Sequence, residues 1–550
     1  MWKPILALLT WAVMAQASVA ATSPARMSEI VRVLAADGFE GRAPGSAGEA
    51  QTIAYLTAQF RSLGLKPGGP GGSYVQEVPL LKTQIIGPGS FAIGGAQGRP
   101  QTLMMGQDIS LITLLPVDQV EITSAPLVFV GYGVNAPERG WDDYKGVDLK
   151  GKIAVVLIND PDFEATPSEP VAGKFGGQAM AYYGRWTYKF DEAARRGAAG
   201  VLIIHDTAGA GYGWSTVVAP AGEGFDIVRE HPETLRLKMQ AWISANAADR
   251  IFADAGLDLA GLKRAARTAA FVPVTLPGLA FSARYGVSHV QVVSRNVIGK
   301  LVGKTRPGES VMFSAHWDAY GVGAPDAHGQ TIRRGAADDA IGVAGVMELA
   351  RAFKAAPATD RSLYFAAWTG EERGLLGSEY FGVHPTTGLA TMAANLTMDV
   401  LQTAGPSKDV VLVGSGQSEL DDELALAAKA QGRSVTPDAH PERGLFFRAD
   451  HFSLAKRGVP VLLLMGLGGG ADLVEGGRAA GDKWVSDYTA NCYHKACDAW
   501  SPDWDLRGAA ADVDLFYAMG RKLATSRAWP NWRAGSEFRS LRDVSAGARR

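Results

Sequence analysis

From about Ser288 onward, short apolar runs alternate with helical patterns, and this alternation restricts the fold more than any other feature of the chain. The segments NVIGKLVG, SVMFSAHWD, SLYFAAWTG, ANLTMDV and VPVLLLMG are apolar stretches bounded by turn residues, the pattern of buried strands. Between them, Ile341–Phe353 carries Val346, Leu349, Ala350 and Phe353 at helical spacing, which predicts an amphipathic helix with one apolar face. Strands that alternate with helices build an α/β fold, a mostly parallel central sheet flanked by helices. Such folds place their functional groups at the carboxyl ends of the strands.

Those ends carry the chemistry. His316-Trp317-Asp318 follows VMFSA, Asp338-Asp339 opens the helix, Glu371-Glu372 follows LYFAAWTG, Asp399 follows ANLTM, and Tyr493-His494 stands in NCYHKACD. Each has an ordinary reading when taken alone. H-x-D is common in loops, Glu-Glu is common at solvated helix starts, Asp338-Asp339 could cap a helix, and Asp399 could sit in a turn. Taken in order, they fall where parallel strands deliver side chains to one rim. Two imidazoles and several carboxylates suit a divalent ion such as zinc. The donors suffice for two ions sharing one carboxylate, with a glutamate left over as a base.

The rest of the chain divides by pattern. The 550 residues exceed one ordinary domain. Residues 27–114 open with two helical patterns and a Gly/Pro-rich connector, Lys66–Tyr74, and form a first part of the main domain. Residues 115–275 hold buried-strand signals (Ala125–Val134, Lys152–Ile158), a helix ending near Gly197 and an Ala-rich stretch around 245–270. They read as a smaller inserted α/β unit. Residues 288–527 are the main βα region, and 528–550 form an Arg-containing tail expected at the surface. The Gly-rich Met465–Gly477 lacks G-K-[ST], so it is no phosphate loop and suits the wall of a cleft.

The N-terminus carries Lys3, an apolar run from Ile5 to Val13 and small residues up to Ala21. Residues 1–20 read as a secretory signal, with an uncleaved anchor as the alternative. The expectation is an exported protein, periplasmic or secreted, with no membrane span in the mature chain. The two cysteines, Cys492 and Cys497, are either a local bridge or a pair of buried thiols. Lys and Arg number 54 against 56 Asp and Glu, a balance that gives no reason to expect nucleic acid as a partner.

The main region resembles the M28 family of metallopeptidases, in SAHWDAYG, GAADDAIGVAGVMELAR, WTGEERGLLGSEYF, NLTMDV, RADHFSLAKRGVPVL and YHKACD. GRAPGSAGEAQTIAYL resembles that family's N-terminal portion. The insert resembles a protease-associated (PA) domain through LVFVGYGV, DLKGKIAVVL and AARRGAAGVLIIHD. The resemblance implies a zinc-exopeptidase fold with two zinc ions per chain. His316 and Asp399 match the ligands of one ion, and Glu372 and His494 those of the other. Asp338 matches the bridging carboxylate, joined to Asp339 by a peptide bond that is often cis in the family. Glu371 matches the general base, Asp318 the acid behind His316, and Tyr493 a donor to the reacting oxyanion. Ile341 departs from the Ser of many relatives at a non-ligand position.

The implied activity is removal of N-terminal residues from peptides. The alternatives are a carboxypeptidase or dipeptidase, which needs a basic pocket (Arg333, Arg334 and Arg448 are candidates), a one-zinc glutaminyl cyclase, and an inactive binding scaffold. His451 and His328 are further candidates for the neighbourhood of the cleft.

Overall fold

A computed structural model describes residues 22–95 and 100–549. The expected signal segment, 1–20, lies outside the described residues. Four strands at the centre of the sheet run parallel, in the order Arg361–Trp368, Arg306–His316, Met392–Asp399 and Val461–Met465. All but the first residues of Arg306–His316 are buried on both faces, as their unbroken apolar sequences require. Asp409–Val413 and Ser434–Pro437 extend the sheet beyond Val461–Met465.

On the other side, Arg361–Trp368 pairs antiparallel with the end of a 28-residue strand, Val274–Leu301. This strand runs antiparallel along nearly all of Val75–Gly95. Its first half also pairs with Gln119–Phe129, which leads into a second parallel block, Ile153–Leu157, Gly200–Ile204 and Met239–Ile243. Ile109–Ile112, which precedes residue 115, closes that block as an antiparallel edge. The two parallel blocks therefore belong to one continuous sheet, joined through the long strand pair.

Helices cover both faces of the main block. Pro24–Leu34 and Arg507–Thr525 pack on Ile341–Ala355 on one side, in a core that includes Phe60, Phe313, Phe353 and Phe516. Leu376–Val383 and His451–Ala455 cover the other, around Trp368, Phe446, Phe452 and Trp532. The helix at 341 is not one-faced as its spacing predicted. Every residue from Ile341 to Leu349 is buried, because sheet and helices enclose it on all sides. The C-terminal tail also departs from expectation. Trp532 and Arg542 are buried, Trp532 donates its indole N–H to the Gly458 carbonyl, and Arg542 donates to the Met392 carbonyl. Aromatic anchors at Trp532 and Phe538 hold the tail against the sheet, which its arginines concealed in the sequence. Among the described residues, no helix is long and apolar enough to cross a membrane.

Candidate metal centre

The parallel strands deliver their side chains to one rim. His316 ends its strand almost fully buried, with its Nε2 3.1 Å from Asp338 Oδ1, 3.8 Å from Asp399 Oδ1 and 4.0 Å from Glu371 Oε2. Asp338 turns its other oxygen, Oδ2, to within 3.2 Å of His494 Nε2, and Glu372 Oε2 lies 3.3 Å from the same nitrogen. One carboxylate thus faces two imidazoles. Asp338, Glu372 and His494 form one group of donors within 4.8 Å of one another, and His316, Asp339 and Asp399 form another.

The neighbours Asp338 and Asp339 are joined by a cis peptide bond and do different work. The Asp339 carboxylate accepts the backbone N–H of Gly342 (2.9 Å), Val400 (3.2 Å) and His316 (3.3 Å). It is the helix cap, and it ties the ends of two strands to that helix, so its oxygens are occupied by the backbone. A Cβ at Gly342 would run into this carboxylate, which accounts for glycine there. Asp338 is left facing the rim. Its own N–H and that of Ala337 donate to the Asp498 carboxylate, at 3.1 and 2.8 Å.

Asp318, fully buried, stands behind the site. Its two oxygens accept the N–H groups of Glu371 and Glu372, at 3.1 and 3.4 Å, and one lies 3.7 Å from His316 Nδ1. It therefore positions the glutamate pair as well as the histidine. Gly370, at φ +63°, allows the tight turn that points both glutamates inward. His494 sits in the left-handed region at φ +61°, a conformation that a non-glycine residue holds only when its surroundings fix it. The surroundings are the Tyr493 and Tyr320 rings, with centroids 3.6 and 4.6 Å away, and a Cys492–Cys497 disulfide that closes the loop.

The electrostatics are those of an anionic cage. Burial pushes the Glu371, Glu372 and Asp399 carboxyls up, and neighbouring carboxylates add to the rise. Burial acts on Asp338 too, but the two imidazoles outweigh it and hold that carboxyl well below the usual range. Burial disfavours charge on His316, yet Glu371 and the adjacent aspartates hold its pKa well above normal. Buried carboxylates that repel one another and converge with imidazole nitrogens on a single point are relieved by cations. The donor set therefore fits one or more divalent ions.

All eight residues expected from the sequence are brought to this rim, Tyr493 through its ring contact with His494. Three supports were missed. Arg42, fully buried, donates to the carbonyls of Leu34, Trp317, Arg334 and Gly335, and so clamps the loops that carry His316 and Asp338. Asp498 holds Asp338, and the buried Asp450 carboxyl, pushed up to about 7 by burial, lies within the field of His316. Each stands inside a stretch that carries the family resemblance, but no periodicity marks it as a support. His451 is buried against Phe446, 4.8 Å between centroids, and burial drives its pKa down to about 3, so it packs as a neutral ring. His328 stays on an exposed loop. Arg333 and Arg334 are taken up by carbonyls and by Asp37. Gly466, Gly469, Ala471 and Leu473 line a cavity with Gln402 and Trp484, beside the end of the Met392–Asp399 strand.

A parallel α/β sheet with a carboxylate–imidazole cage at its strand ends defines a metal-dependent hydrolase. Residues 296–518, which hold all eight site residues, match the model of peptidase family M28, a likeness that supports a metallo-exopeptidase. Among solved structures, the chain is similar to an aminopeptidase from Aneurinibacillus sp. strain AM-1, at 19% identity over 92% of this chain and 95% of that one, with a TM-score of 0.47. It is similar to BSAP, a zinc aminopeptidase from Bacillus subtilis, at 17% identity over 94% and 98%, TM-score 0.42. It is also similar to a peptidase M28 precursor from Shewanella amazonensis, at 19% identity over 93% and 95%, TM-score 0.41.

Proposed function

We propose that the protein is an exported, zinc-dependent aminopeptidase with two zinc ions per chain. The observation that carries this reading is the Asp338 carboxylate, with one oxygen 3.1 Å from His316 Nε2 and the other 3.2 Å from His494 Nε2. That arrangement suits a bridge between two ions, one held with His316 and Asp399, the other with Glu372 and His494. Bound zinc would polarise the scissile carbonyl and acidify the attacking water. Glu371 takes the water's proton and passes it to the leaving amine. The Tyr493 hydroxyl donates a hydrogen bond to the developing oxyanion. Asp318 keeps both glutamates and the His316 ring in place. The excess of carboxylates attracts a free α-ammonium group, which favours an N-terminal substrate.

The N-terminal apolar segment supports export, and the 115–275 insert, read as a PA domain, would shape access to the cleft. A one-ion cyclase or an inactive scaffold is disfavoured by the full set of donors.

The test is metal analysis and kinetics on Glu371→Gln and Glu372→Gln side by side, with aminoacyl-anilide substrates. The Glu371 variant should keep its metal and lose roughly 10²- to 10⁴-fold in kcat, with little change in KM. The Glu372 variant should lose metal and activity together. The reverse pattern would exchange the two roles. Full activity in thoroughly demetallated protein would remove the metal reading altogether.

A further inference from the structure

Among the described residues, two arginines near the metal cage show no anionic partner. Arg185 stands at the start of the helix Trp186–Arg195, in the inserted region, and is 8% exposed. Its Nε has no hydrogen-bond partner, and its Nη1 lies 4.0 Å from the Met180 sulfur. Arg448 follows the turn Leu445–Phe447 and is exposed. Among the described residues, its side chain shows no ion pair and no hydrogen bond. The segments that carry the two arginines are locked together. The Met180 N–H donates to the Pro441 carbonyl at 3.1 Å, and the Tyr182 and Phe447 rings lie 6.2 Å apart. Gly444 is without a Cβ where one would come 2.8 Å from the Met180 sulfur.

This packing brings the guanidiniums of Arg185 and Arg448 into each other's field, together with the Tyr212 hydroxyl. Burial lowers the Arg185 pKa to about 10, and Arg448 lowers it further within that total. A buried cation facing a second cation is costly unless an anion joins them. Two guanidiniums present the planar donors that match a carboxylate. The place adjoins the cage through Tyr493, which feels the charge of Arg448 and whose ring lies 3.6 Å from that of His494. Arg448 is two residues from Asp450, and Tyr493 packs on the same apolar cluster as Tyr182, Phe447 and Ala449.

We propose that Arg185 and Arg448 form a subsite beside the metal cage that binds a carboxylate of the peptide substrate. The inference rests on the peptidase reading and narrows its substrates to short peptides, through their C-terminal carboxylate, or to peptides with an acidic first side chain.

Two substrate pairs separate these sources: Leu-Ala against Leu-Ala amide, and Glu-anilide against Gln-anilide. In the wild type, one pair should favour the acid in kcat/KM by about 10- to 100-fold, the worth of a charged hydrogen bond. In Arg448→Gln, an exposed substitution that leaves the packing intact, that ratio should fall towards one. Arg185→Gln should do the same, with circular dichroism to verify its fold. Calorimetry on metal-loaded Glu371→Gln protein, with Leu-Ala and Glu amide against Leu-Ala amide and Gln amide, reads the subsite without turnover. If no peptide is hydrolysed, the peptidase reading fails, while tighter binding of the acid still upholds the subsite. Ratios near one in the wild type by both measures, or an acid preference that survives Arg448→Gln, would overturn the proposal.

Discussion

Asp318 offers the sharpest test of how the site is held. Replacing it with Asn keeps the size and removes one acceptor. In the native site, its two oxygens accept two backbone N–H groups, those of Glu371 and Glu372, at 3.1 and 3.4 Å, and the residue is fully buried. Whichever way the Asn amide turns, one of those N–H groups faces an NH2 donor and loses its bond. A buried donor left unpaired costs about 1–3 kcal/mol, so unfolding of the metal-free variant by denaturant should show a loss of that order. The carboxylate behind His316 is lost as well, and removal of such a support costs about 10- to 100-fold in metal affinity or activity. In transition-state terms this is about 1.4–2.7 kcal/mol. The assays are a metal titration against a chelating competitor and kcat/KM on an aminoacyl-anilide, each beside the wild type. A variant with wild-type stability, metal affinity and kcat/KM would show that Asp318 positions nothing.

Other outcomes follow from the same coordinates. Chelation should abolish hydrolysis and added zinc should restore it, measured on one preparation before and after dialysis. Reduction of Cys492–Cys497 should release the loop that carries His494 and weaken metal binding, since a ring of this size restricts the unfolded loop by about 2 kcal/mol. Mass spectrometry of the protein purified without reductant should find the pair oxidised, and two free thiols would end that argument. Gly342→Ala should disrupt the Asp339 cap and lower thermal stability, because the added Cβ meets the Asp339 carboxylate. Burial raises the Asp421 pKa from the usual carboxylate range to about 6. Its contribution to stability is therefore complete below about pH 4 and is lost as pH rises through about 6. Asp421→Asn should flatten that part of the stability profile, and an unchanged profile would count against the shift.

What the sequence revealed and what it hid have physical causes. Strands buried on both faces read as continuous apolar runs, so the block ending in His316, Trp368, Asp399 and Met465 was legible, and with it the rim where the candidate site residues gather. The helix at 341 looked one-sided because Gly342, Ala344 and Gly345 add little hydrophobic signal, yet small residues are what let it pack on every side. Val274–Leu301 was hidden in its first half. Pro277, Gly278 and Gly286 interrupt its apolar pattern, and the strand absorbs them through register shifts along its edges. The supports of the site were hidden for a different reason. Arg42, Asp498 and Asp450 act through backbone groups or through charge across the fold, and such contacts leave no spacing to read.

The long pair of strands Val75–Gly95 and Val274–Leu301 has an architectural meaning as well. Gly95 pairs with Leu279, so the chain leaves towards the second parallel block and returns from it at adjoining points on one ribbon. To the main sheet, everything between those points is topologically a single enlarged hairpin loop. Chain of almost any length can be exchanged there without altering the order of the strands that carry the metal cage. On the proposed reading, a change of size or surface in that loop would bear on which molecules reach the cage more than on the groups within it.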